Sequence, residues 1–102
     1  MLLHVTLRHD VDNCPGFNPE IMQRAGSAFN HLEEVAAKHG IAIREYYQAA
    51  PDHIEFMVVE APDNMALALF LTVALPYKVE TETRVVTDFA GMKAVFAARQ
   101  GA

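Results

Sequence analysis

The order in which two hydrophobic periods follow one another constrains the fold of this chain more than any other feature. Leu2–Arg8 alternates: Leu3, Val5 and Leu7 share one side of an extended strand, and His4, Thr6 and Arg8 share the other. From Pro19 the period becomes helical. Ile21, Met22, Ala25, Phe29, Leu32, Val35 and Ala36 fall on one side, and Gln23, Asn30, Glu34 and Lys38 on the other. Asn18 as N-cap, Pro19 in the first turn and Glu20 beside it open this helix; it runs to His39 and Gly40 closes it. Two strands follow, Ile41–Gln48 and His53–Glu60, around a turn at 49–52. Ala61-Pro62-Asp63 starts a second helix over Asn64–Ala74, apolar almost all round and stopped by Pro76. Tyr77–Val86 alternates once more. Asp88 then caps a last helix to about Gln100, striped by Phe89, Met92, Val95 and Phe96.

The order β-α-β-β-α-β is that of the ferredoxin-like split βαβ arrangement, an α+β class. It predicts a four-stranded antiparallel sheet with two helices on one face, built from residues 1–86. The extra C-terminal helix in residues 87–102 is expected to pack on the domain or on a partner subunit, because a helix this short is not stable alone. The first and third strands are expected to be central, and to run as parallel neighbours. In the hairpin, Ile54, Phe56 and Val58 are expected to face the helices, with His53, Glu55 and Met57 on the open side. Pairing Gln48 with His53 sets Tyr46 against Glu55 and Arg44 against Met57.

At 102 residues the chain is one domain, and it buries enough surface for a core without staples. The net charge of −5 and the lack of a basic patch exclude nucleic acid as an expected partner. The single cysteine allows no internal disulfide, which fits a reducing cytoplasm. The start reads as a strand and not as a signal peptide. The longest apolar run, 65–75, is too short to span a bilayer, so no membrane partner is expected.

The chemistry-bearing residues gather on the open face of the expected sheet. His4 with Glu55 or Glu80 forms a proton-transfer pair, and Tyr46 can donate to a developing oxyanion. Arg8 and Arg44 hold a small anionic organic ligand, with Thr6 and His53 lining the same face. No organic cofactor is required. Two such sheets packed face to face enclose the site in a homodimer or higher homo-oligomer. A second constellation lies in the loop after the first strand. His9 and Asp10, with Asp12 and Cys14 of the same loop and His4 and His53 from the strands, suit a divalent transition metal such as nickel or zinc, while Cys14 by itself is expected to be a small loop residue. The third reading is a non-catalytic assembly module whose open face and last helix make subunit contacts.

The opening MLLHV, the helix end Lys38-His39-Gly40, the turn Val59–Asp63 and the stretch LPYKVETE from Leu75 resemble small dimeric α+β barrel proteins. The muconolactone isomerases are similar in the opening strand and in the leucine-proline step. A small nickel-binding ferredoxin-like family is similar at Arg8-His9-Asp10, at Lys38-His39-Gly40 and at Val59–Asp63. The resemblance implies a dimeric barrel, and acid/base chemistry of isomerase or lyase type in which His4 and Glu80 are the matching residues. The nickel-binding relatives carry histidines on the second helix; here that helix has none.

Overall fold

In a computed structural model of the chain, residues 1–75 and 78–101 are described. The proline stop at Pro76 and the strand start at Tyr77 lie outside them. Four strands, β1 (Leu2–Arg8), β2 (Ala42–Ala49), β3 (Ile54–Glu60) and β4 (Glu80–Val85), form one sheet in the order β2-β3-β1-β4. All three pairings are antiparallel, so the parallel pairing expected of β1 and β3 is corrected. A hairpin joins β2 to β3, and β3 therefore runs against β1.

The expected helix from Pro19 to His39 is two. α1 (Pro19–Asn30) and α2 (Leu32–Lys38) meet at His31, whose φ of −117° leaves the helical region. Its N–H bonds back to Ala28, three residues earlier, and its carbonyl already starts α2 by accepting from Val35. Neither proline nor glycine occupies the break. Gly40, at φ 73°, ends α2 in the left-handed region; a side chain there would also press on Pro62. α3 (Asn64–Ala74) begins where the Asp63 carboxylate accepts from the Ala66 N–H at 2.8 Å.

The core lies between the sheet and these helices. Leu3, Val5 and Leu7 of β1 and Met57 and Val59 of β3 pack with Leu32, Ala36, Leu67 and Phe70. Each such side chain, fully removed from water, contributes about 1.5–3 kcal/mol. β3 therefore turns the opposite face inward from the one expected. Glu55, Met57 and Val59 are buried, while Ile54, Phe56 and Val58 face the open side with His4, Thr6 and Arg8. The hairpin register also moves by two residues, to Gln48–Glu55 and Tyr46–Met57. A bulge between Ile43 and Glu45 takes Arg44 out of the ladder and lets Ile43 and Tyr46 share the helix side.

α3 buries Leu67, Phe70 and Ala74 and leaves Met65, Leu69 and Val73 exposed. α4 (Phe89–Gly101) starts on the Asp88 cap, whose carboxylate accepts from the Gly91 N–H at 2.7 Å, and buries none of its residues. The radius of gyration, 15.9 Å, exceeds the roughly 13 Å of a compact chain this long, because α4 stands off from the rest.

Candidate metal centre

The register of the two central strands builds this site. Arg8 pairs with Ile54, so the next positions outward, His9 and His53, come to lie opposite each other. The His9 N–H donates to the His53 carbonyl at 3.2 Å, and the two rings meet edge to face with centroids 5.3 Å apart. His9 and His53 continue the helix-covered side of the sheet, beyond Leu7 and Glu55. His53 follows the 3-10 turn Ala50–Asp52 and takes a left-handed φ of 56°.

A second 3-10 turn, Val11–Asn13, folds the loop back over this pair. The Asp10 carboxylate accepts from both the backbone and the side-chain amide of Asn13 at 2.9 Å, which holds its own pKa below the usual range. Cys14 follows. Its N–H donates to the Val11 carbonyl, and its own carbonyl accepts from Phe17 and Asn18 at 3.0 Å. The thiol is thus buried in a pinned loop, opposite the two imidazoles. One ligand atom from each of His9, Cys14 and His53 lies within 4.8 Å of the others, and among the described residues this is the one histidine, cysteine and carboxylate group of three so placed.

The cluster borders a cavity of about 280 Å³ walled by Pro15, Phe17, Met22 and Ile54. Nδ1 of His53 is buried with no hydrogen-bond partner among the described residues. Leaving such an atom unsatisfied costs about 1–3 kcal/mol, which a bound cation at that nitrogen removes. Burial pushes the His9 pKa below its ordinary value; Glu55 pulls it back, and a charged His53 lowers it further. A neutral imidazole is the form that ligates.

Beside the cluster, Glu55 is almost fully buried at 2% exposure. The Tyr46 hydroxyl donates to its Oε2 at 2.6 Å, and Gln48 donates to its Oε1 at 3.4 Å.

The other expected site residues fall elsewhere. His4 is half-buried on the open face, opposite Val58 and Arg84, with its ring 6.0 Å from Phe56. It does not share a face with Glu55 or Tyr46, so the expected His4–Glu55 pair is corrected. The expected His4–Glu80 pair is corrected as well: Glu80 stands opposite Arg8, four positions along β1 from His4, and Arg84 is the residue opposite His4. Arg8 is engaged by Glu82 at 3.0 Å and Arg44 by Glu60 at 2.6 Å, so neither guanidinium on that side is left for an anion alone. Thr6 is buried between strands; His53 belongs to the cluster and not to the open face. Of the two metal residues expected, His9 is in the cluster, and Asp10 caps the turn beside it. Of the wider set expected to suit a metal, Cys14, also expected as a small loop residue, and His53 belong to the cluster, and His4 and Asp12 do not.

Fold and site together define a small α+β protein of ferredoxin-like arrangement, with an extra C-terminal helix and a histidine–cysteine cluster at one end of its sheet. No protein-family model matches the chain, and no curated protein matches it. No described helix is long and apolar enough to cross a membrane.

Proposed function

We propose that this protein binds a transition-metal ion through His9, Cys14 and His53. The observation that carries the reading is the approach of their three ligand atoms to within 4.8 Å, two from the loop after β1 and one from the turn before β3. Two imidazoles and a thiolate form a borderline-to-soft donor set, suited to zinc, nickel or copper and unsuited to calcium or magnesium. Glu55 stands close enough to His9 to act on its charge, favouring a cation beside it. The test is a metal titration of the reduced protein against a chromophoric chelator. One equivalent of zinc should bind, and His9→Ala, Cys14→Ser and His53→Ala should each weaken it at least tenfold. Binding at less than one equivalent, or affinity unchanged in all three variants, defeats the reading.

A second reading concerns assembly, and α4 favours it. A 13-residue helix without a buried side chain has no tertiary support within its own chain. Phe89 and Phe96 are 73% and 59% exposed, and Met92 and Val95 extend the same stripe. A second copy of the chain supplies the cover. Two-fold exchange of such helices, at roughly 150–250 Å² per buried aromatic, gives about 600–1,000 Å² from the rings of both copies, and Met92 and Val95 add to it toward the ~1,200–2,000 Å² of a specific interface.

A further inference from the structure

The donor set and the cavity around it bear on which metal the site takes, a question that rests on the metal-binding reading above. No carboxylate is among the clustered donors, and Asp10, the nearest acid in sequence, is spent on its turn. A three-ligand zinc site keeps a water in its fourth position. Here the cavity wall offers a thioether instead: Met22, from the first turn of α1, lines the same 280 Å³ space as His9, Cys14 and His53. Apart from Gln48 the rest of that wall is apolar, with Phe17 placing its ring 6.1 Å from that of His53, and Met22 itself is half exposed, at 52%. Two imidazoles, one thiolate and a weakly held thioether in an apolar shell are the donors with which proteins hold copper in thiolate sites. Copper also heads the affinity order for divalent ions at nitrogen and sulfur donors.

We infer that the site is a copper site, in which Cys14 Sγ and the imidazoles of His9 and His53 bind the ion and the Met22 thioether is its weak fourth donor. The loop geometry suits this. Cys14 is held by backbone hydrogen bonds on both its N–H and its carbonyl, and His9 and His53 are tied to each other through the backbone. The donors are therefore set by the fold and not gathered by the ion.

The experiment is an anaerobic titration of the reduced full-length protein with Cu(II), followed by visible absorption, electron paramagnetic resonance and a count of free thiol. The inference expects one equivalent bound, an intense thiolate-to-copper charge-transfer band, and recovery of the free thiol after copper is removed. Cys14→Ser should abolish the band. Met22→Leu should keep it and raise the reduction potential, because loss of a donor weakens the higher-charged Cu(II) more than Cu(I). Absence of the band overturns the copper assignment, as does reduction of Cu(II) with two chains joined by a Cys14–Cys14 disulfide. If zinc still binds at one equivalent in that case, the metal-binding reading survives; if neither ion binds, both fail. An unchanged spectrum and potential in Met22→Leu removes Met22 from the ligand set.

Discussion

Tyr46 and Glu55 meet at 2.6 Å on the helix-covered face of the sheet, hydroxyl to carboxylate, one strand apart. The contact explains how a carboxylate sits at 2% exposure in β3. Tyr46→Phe removes one donor and leaves the acid buried, which costs about 1–3 kcal/mol. The midpoint of urea denaturation should fall accordingly, and Glu55→Gln in the Tyr46→Phe background should recover part of the loss. An unchanged midpoint in Tyr46→Phe would show that the bond carries no net stability.

Metal binding should also appear as stability. An ion that binds the folded chain and not the unfolded one adds about 2.7 kcal/mol at a free concentration one hundred times its dissociation constant. Tm should therefore rise on adding zinc or copper and fall back with a chelator. His53→Ala should remove the response, while Asp10→Ala, which weakens only the adjoining turn, should keep a shift. Equal responses in wild type and His53→Ala would place the ion elsewhere.

Acid should weaken the metal-free fold. His9 is held below its ordinary value of 6.5, chiefly by burial, so the folded chain binds fewer protons there than the unfolded chain. Its contribution is present above about pH 6.5 and is lost as pH falls from there through the lowered value. NMR titration should find His9 protonating below its ordinary value of 6.5. Denaturation midpoints that do not change from pH 7 to pH 5 in wild type, and match those of His9→Gln, would contradict this.

The exposed stripe of α4 should govern assembly. Phe89→Asp with Phe96→Asp should shift the sedimentation of the protein from dimer to monomer, and its melting temperature should lose any dependence on concentration. Neither residue touches the core. A wild-type protein that sediments as a monomer at micromolar concentration would remove the second copy as the cover for α4.

Much of the fold was legible because each element announced itself locally. Asn18, Asp63 and Asp88 cap the helices their sequence positions suggest, and Gly40 closes α2. β4 pairs with β1, with Thr81 and Thr83 opposite Leu7 and Val5, but it is shorter than read, at Glu80–Val85, and both its faces are exposed. The inward face of β3 was not legible. Both of its faces are apolar, and Glu55 looked decisive for the open side. Its burial depends on Tyr46 and Gln48, two residues on another strand whose register a bulge at Arg44 disguises. The metal cluster was half legible for the same reason. His9 and Cys14 are near in sequence, but His53 reaches them only through the β1–β3 pairing.

His53 carries the one positive φ outside glycine among the described residues. An L-residue in that region gives up about 1–2 kcal/mol that glycine would keep. The most stable sequence for this turn is therefore not the one the chain has. Glycine would hold the same turn without that cost, and in the metal-binding reading the imidazole is what the turn gains in exchange. Comparing the melting temperatures of wild type and His53→Gly with and without metal would weigh the two demands directly: the glycine variant more robust alone, the histidine more robust when loaded.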